Sequence, residues 1–532
     1  MRVLRRNGLV LGTGVAAALP VIVSTIHAVV VGWLPIGDRA LIGIRAFDVL
    51  STHPPLLGQY STASMVIGEP VLSPGPLLFW LLALPVRLGG AAPAVTIGLV
   101  NTCAVIGVVA LARRRGGLPL MFATAAAVAL MCASLDAWIF HDIWNPSAAV
   151  LPFMLLIFLA WSLAVGEWPL LPLTALVASF VVQAHLTYTV PTLALLAVGI
   201  GMLAASRPRV PRRWLLATLA VVAVCWSFPL AEEAVHRPGN VERIVQVATS
   251  GERTLGASAG WRSVVHGIGF QPWWLQSPRS VYLRVVEITY PPSGTAVATA
   301  ILMLILLGAV ALGGFRAGRR DLAAAALLAL GLMLALGLVT ATTPTAGRQF
   351  AVVGYTLWWA SPAGMFGWLV VGLGAAALLG RSERLKVLLS RAPAAASAGA
   401  LAGVAALAAV VAAGGGPERF EKAFDRTHSL VDAARAQVPA GGTVMIDGPL
   451  TEIGTELKGA IAYGLRDKGV RFLSADPPGI GTRYDPALHP HDRVLQVDAV
   501  PLAGGRVIAR EVLRGVPTSQ DPPAPVVLTL KP

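Results

Sequence analysis

Asp38 stands a few residues past the first apolar run, in the segment PIGDRALIGIRAFDVLSTHPPLLGQYSTASMVIGEPVLSPGP that begins at Pro35. A carboxylate at that boundary can take a proton from an attacking hydroxyl while staying beside a lipid-borne group. Its structural use would be as a helix cap or a partner of Arg39 or Arg45, because Gly-Asp-Arg-Ala-Leu resembles a helix start. Asp48 follows in IRAFDVL and can share the chemistry or simply pair with Arg45. The loop HDIWNPS adds Asp142, flanked by His141 and Asn145. Asp142 can orient a sugar or bind a cation, or it can cap the helix that Asn-Pro introduces. In FVVQAHLTY, Gln183 and His185 place polar groups at the top of an apolar helix. A lone histidine there is more often hydrogen-bonded structure than a ligand. Arg348, in TAGRQF, offers a planar fork suited to a phosphodiester, with interfacial snorkelling as the alternative. The candidates are therefore Asp38, Asp48 and Asp142 as catalytic carboxylates, and His141, Asn145, Gln183, His185 and Arg348 as substrate-binding groups.

The elements that must position these residues are membrane spans. The chain is 55% hydrophobic and 13% charged, outside the range of soluble globular proteins. Apolar runs long enough to cross a hydrocarbon core recur from Leu9 to about Gly415. Arginines gather in short connections: Arg2, Arg5 and Arg6; Arg113 to Arg115; Arg207, Arg209, Arg212 and Arg213; Arg316, Arg319 and Arg320; Arg381, Arg384 and Arg391. That is the positive-inside pattern of cytoplasmic loops. It accounts for the net charge of +14 without a nucleic-acid partner. Applied along the chain, it predicts about eleven spans with the N-terminus cytoplasmic and the C-terminus extracytoplasmic, and the high Ala, Gly and Arg content suggests a GC-rich bacterial source whose plasma membrane would hold them. The basic amino terminus leads into an apolar run too long for a cleaved signal, so it reads as a retained first helix, about Leu9 to Leu34. PLLFWLLALPVRLGG is short enough to lie along the interface. The cysteines Cys103, Cys132 and Cys225 all fall within apolar spans, with no metal-ligand spacing.

The expected organisation is a transmembrane domain over residues 1–415, with long external loops at 35–90 and 232–293. Residues 417–532 then form a small extracytoplasmic α/β domain. In that region helix-like ERFEKAFDRTHSLVDAARAQ precedes the strand TVMID, and TEIGTELKGAIAYGLRDKG precedes the strand VRFLS. The proline-rich stretch near Asp521 to Pro525 reads as a linker or tail.

In the membrane half the acids Asp38, Asp48, Glu69, Asp136, Asp142, Glu232 and Glu233 all fall on the external side, and no ionisable residue lies mid-span. A proton- or ion-coupled pump usually needs such a residue. Neither GxxxxGK[ST] nor GxSxG is present, so a cytosolic nucleotide site has no support. Two further classes stay in view: a lipid or glycan flippase or exporter, and a non-enzymatic scaffold for envelope assembly.

With an acid soon after the first helix (Asp38), a long first external segment and an acid in the second external loop (Asp142), the chain resembles the glycosyltransferase C (GT-C) superfamily. The stretch YSTASMVIGEPVLSPGPLLFWLLALPVRLGG is similar to the lead into an interfacial helix in polyprenyl-phosphate-mannose protein mannosyltransferases and lipid A aminoarabinose transferases. Arabinosyltransferases of bacterial envelopes belong to the same class. The resemblance implies an inverting glycosyltransferase that takes a sugar from a polyprenyl-phosphate donor to a glycan, lipid or protein acceptor. It further implies that Asp38 is the general base and that a basic residue, for which Arg348 is the positional choice, holds the donor phosphate. Family members often carry a second acid beside the first-loop aspartate, where this chain has Arg39. The pattern demands no cofactor and leaves a divalent cation as an option.

Overall fold

The computed structural model describes residues 2–207, 209–277, 283–346, 349–379, 394–448, 452–474, 482–491, 493–514 and 524–531. Arg348, the arginines Arg381, Arg384 and Arg391, and Asp521 to Pro523 of the expected tail lie outside these residues.

Helix α1 (Arg2–Ala17) meets α2 (Leu19–Val30) at a bend of 56°. Pro20, in the first turn of α2, removes a backbone donor there. Together the pair is long and apolar enough to cross a membrane as one bent span. The juxtamembrane helix α3 (Asp38–Asp48) follows, then the short apolar helices Leu77–Leu82 and Pro85–Leu88, which fit an interfacial segment. Helix α4 (Ala92–Cys132) carries two expected spans as two arms, broken where Gly116 and Gly117 leave helical geometry and Pro119 restarts it. The remaining apolar helices are α5 (Val150–Ala164), α6 (Leu171–Ala184), α7 (Thr189–Ala205), α8 (Arg212–Val235), α9 (Gly294–Arg316), α10 (Arg320–Thr342), α11 (Ala360–Leu379) and α12 (Ala394–Ala413).

Among the described residues, 8 helices are long and apolar enough to cross a membrane, or 9 with the bent pair counted as one span. The expected eleven are reached only if each arm of α4 crosses and the shorter apolar stretch Trp168–Ala184 crosses as well. The helices do not share one environment. Asn145–Ala164 is 94% buried and forms the axis of the bundle, whereas Arg212–Val235 and Ala396–Ala413 are 11% buried. An all-round apolar helix must face either protein or lipid. The first is enclosed by protein, and Arg212–Val235 keeps leucines such as Leu216 and Leu219 outward, each 63% exposed. Around the axis, Phe153 packs edge-on against Tyr188 and Trp359, and Phe366 against Phe158 and Trp161.

The described residues of the second long loop include the helices Asn240–Ala248, Gly256–Ile268 and Leu283–Thr289. Its helix Gly256–Ile268 packs against α10 so closely that a Cβ on Gly260 would lie 2.5 Å from the Gly337 carbonyl.

The C-terminal domain is α/β, as the helix–strand alternation predicts. Helix α13 (Glu421–Gln437) precedes β1 (Thr443–Asp447). Helix α14 (Glu452–Asp467) then crosses to β2 (Arg471–Leu473), which pairs parallel to β1. β3 (Val494–Asp498), β4 (Arg506–Leu513) and β5 (Ala524–Lys531) complete a five-stranded mixed sheet of order β2-β1-β3-β5-β4. Ala524 and Pro525, expected in a tail, begin β5 instead, where Pro525 faces Val512 of β4. The apolar run VVLTL after the prolines has enough β-forming residues to pair on both sides, against β3 and β4.

Candidate functional site

The site is built where α3 meets the loop between α4 and α5, under the C-terminal domain. Gly37 caps α3 with φ 63° and ψ −130°, a conformation close to the region that only glycine occupies at low cost. Its N–H donates to the Glu456 carbonyl of α14 at 3.0 Å. A Cβ on Gly37 would meet the Glu456 carboxylate at 1.5 Å. Gly37→Ala is therefore expected to destabilise the protein by about 1–3 kcal/mol and to push Glu456 aside. A thermal unfolding curve in detergent checks the first effect, and an unchanged midpoint would contradict it.

Asp38 is the first helical residue of α3 and does not act as a side-chain cap. Its carboxylate is exposed and, among the described residues, accepts one hydrogen bond, from the Trp144 indole N–H at 3.2 Å. It pairs with neither Arg39 nor Arg45. Arg39 turns instead to Asp142: Nε contacts both carboxylate oxygens at 2.9 and 3.0 Å, and Nη2 reaches Oδ2 at 2.5 Å. Asp142, 1% exposed, also accepts the Trp144 backbone N–H at 3.1 Å. With both oxygens held by a guanidinium and no opening to solvent, Asp142 has no room to take a proton from a substrate. The catalytic role expected of it gives way to fixing Arg39 and the Trp144 loop.

Asp48 is likewise enclosed, with a side chain 0% exposed. It faces Arg45 at 3.2 Å, Arg483 at 3.1 Å, Arg466 at 3.5 Å and the Tyr484 hydroxyl at 2.8 Å. The expected pairing with Arg45 is present as one part of a larger network, and direct chemistry at Asp48 is not available in this arrangement.

The other candidates divide in the same way. His141 is buried between Ser24 Oγ, 2.7 Å from Nδ1, and Glu418, 2.7 Å from Nε2. Asn145 donates to the Ala184 carbonyl at 3.0 Å, joining the turn before α5 to the end of α6. Gln183 donates to the Cys225 carbonyl at 2.7 Å and accepts the Leu77 N–H at 3.4 Å. These three hold the framework together. His185 lies beside Tyr355 and Tyr188 with Nδ1 2.8 Å from Thr187 Oγ1. Burial pushes its imidazole down to about 4, so near pH 7 it is a neutral group and not a counter-ion for phosphate.

Two arginines missing from the sequence-based set carry the charge of this region. Arg419 stands just past the last apolar helix, with its guanidinium 4.9 Å from the Phe420 ring, 5.2 Å from Trp138 and 5.5 Å from Trp144. Arg39 lies against the same three rings at 5.0–5.5 Å, but Asp142 already neutralises it. Among the described residues Arg419 makes no ion pair. Burial and then the neighbouring Arg39 lower its pKa, while Glu456, Asp142 and Asp38 act on it as nearby anions. Arg284 stacks 4.9 Å over Trp273 and donates to the Leu357 carbonyl at 2.8 Å and Ser361 at 2.9 Å. Burial brings it down to about 10, still cationic at neutral pH. Asp136 feels both arginines, and burial holds its carboxyl above the usual range. Tyr355 and Trp358 close the wall, with ring centroids 4.5 and 5.8 Å from Trp144.

The sequence did contain a signal for Arg419. On the orientation the arginine clusters predict, it is an external arginine against the positive-inside rule, the same anomaly that singled out Arg348. Among the described residues no group of three or more His, Cys, Asp or Glu is arranged to hold a metal ion. No protein-family model matches the chain, and no curated protein matches it significantly.

Proposed function

We propose that the protein is a membrane glycosyltransferase that moves a sugar from a polyprenyl-phosphate donor to a hydroxyl acceptor at the outer face of a bacterial plasma membrane. One observation carries this reading: Asp38 keeps an exposed carboxylate on the Trp144 indole, and the same Trp144 ring lies 5.5 Å from Arg419, which makes no ion pair among the described residues. A proton acceptor and a desolvated cation side by side are what a sugar phosphate needs when its carbon–oxygen bond breaks.

In this mechanism Asp38 removes the acceptor hydroxyl proton and the oxygen attacks the anomeric carbon from the face opposite the phosphate. The bond to the phosphate oxygen breaks, its electron pair leaves with the polyprenyl phosphate, and the sugar configuration inverts. Arg419 takes the part first given to Arg348, facing the phosphate charge with two parallel donors. The ion-paired Arg39 and Asp142 keep the loop bearing Trp144 in register. Glycan, lipid and protein acceptors all present the required hydroxyl.

The test uses the purified full chain in lipid nanodiscs with labelled polyprenyl-phosphate sugars. Transfer with stoichiometric release of polyprenyl phosphate is expected. Arg419→Ala should raise the donor KM about tenfold or more, as loss of a charge-assisted contact worth roughly 1.5–3 kcal/mol implies, and Arg419→Lys should restore part of it. Donor that binds but is never cleaved, or a KM indifferent to Arg419, would overturn the reading.

A further inference from the structure

We propose that Asp48 is a positioning residue, a latch that docks the C-terminal domain onto α3 so that α14 sets Glu456 against Gly37 and Asp38. The proposal rests on the functional reading above only where activity is measured; docking is read separately.

Asp48 and Asp38 occupy opposite ends of the 11-residue helix α3, about 15 Å apart along its axis. At the Asp48 end, a carboxylate of the membrane half receives Arg466, Arg483 and Tyr484 from the C-terminal domain, and Arg483 also donates to Ser51 Oγ at 2.9 Å. Burial and then the Asp48 charge push the Tyr484 hydroxyl up, so it stays protonated and donates. Arg45 completes the group. Three guanidinium groups thus converge on a single anion, and without it they repel one another across the domain boundary.

Between the two ends, the contact is shaped for close approach. A Cβ on Gly43 would lie 2.5 Å from the Tyr463 ring, and one on Gly459 would lie 3.1 Å from the Gly37 carbonyl and 3.3 Å from Ala40 Cβ. Small residues let α3 and α14 pack backbone to backbone, but such a contact contributes little directional hold of its own. The ion cluster supplies that hold, and the Gly37 N–H to Glu456 carbonyl bond transmits it to the site.

Docking can be read by disulfide trapping in the full chain, with Ala40→Cys and Gly459→Cys introduced after Cys103, Cys132 and Cys225 are replaced by alanine. The two Cβ positions would lie 3.3 Å apart, a little under the roughly 3.5–4.5 Å of ordinary disulfides, so a small shift of the helices closes the bond. With Asp48 present, mild oxidation should cross-link most molecules. With Asp48→Asn the cross-linked fraction should fall at least fivefold, and Arg483→Gln, which leaves Asp48 paired with Arg45, should give an intermediate loss. Equal trapping in all three would overturn the proposal whatever the activity. In the transfer assay Asp48→Asn should be inactive when reduced and regain at least half its rate when the cross-link forms; a tethered variant that stays inactive would equally count against a positioning role. Retained transfer in Asp38→Asn would instead remove the functional reading and leave the docking result standing.

Discussion

Asp38→Asn should lower glycosyl transfer by about 10²–10⁴-fold, the range contributed by a positioned general base, and leave the protein folded. The substitution keeps an oxygen for the Trp144 indole N–H, the one hydrogen bond the side chain accepts among the described residues. An exposed side chain outside any ion pair changes stability by no more than about 0.5 kcal/mol when replaced by its isostere. The loss should fall on kcat, because the proton moves only as the acceptor attacks. Asp38→Glu should recover part of the rate, since its longer arm keeps the base and misplaces it. Activity within twofold of the parent in Asp38→Asn, at equal membrane level, would remove this carboxylate from the mechanism.

The second large effect concerns the pair that Asp38 does not join. Arg39→Ala or Asp142→Asn alone should destabilise the protein by about 3–5 kcal/mol, because each leaves a buried, uncompensated charge. That is a large share of the roughly 5–15 kcal/mol by which a folded domain exceeds its unfolded state. Both single variants should express poorly and unfold well below the parent. The double variant Arg39→Met/Asp142→Leu removes both charges and should recover most of that stability. It should still transfer slowly, because the loop carrying Trp144 is then fixed by packing alone. A double-mutant cycle on thermal unfolding, built from Arg39→Met, Asp142→Leu and their combination, measures the coupling. Single variants that unfold with the parent would mean that the ion pair does not hold the site.

Much of this arrangement was legible from residue types alone. Arginine clusters and apolar lengths place the helices, and the acid after the first span picks out Asp38, because a charge beside a hydrocarbon core is costly and its position is restricted. Helix–strand alternation after Pro417 gives the α/β domain. The span count was less secure: the second and third expected spans share one helix bent at Gly116-Gly117, next to the expected basic loop, and the fifth expected span is the shorter apolar stretch Trp168–Ala184. Two of the three acids chosen as catalytic are charge partners of arginines. Asp142 and Asp48 look as available as Asp38 in the sequence, since pairing across more than a hundred or four hundred residues leaves no local pattern.

By itself, then, the sequence determined a strongly apolar helical body, a small α/β domain and a set of three candidate carboxylates. These follow from hydrophobicity and charge, which act residue by residue. The tertiary structure decided which charges are neutralised and which remain available. It paired Arg39 with Asp142, enclosed Asp48 among Arg45, Arg466 and Arg483, and left Asp38 open beside Arg419. Electrostatic availability depends on distance and burial in three dimensions, and those are fixed only when the C-terminal domain closes over the helix that carries Asp38.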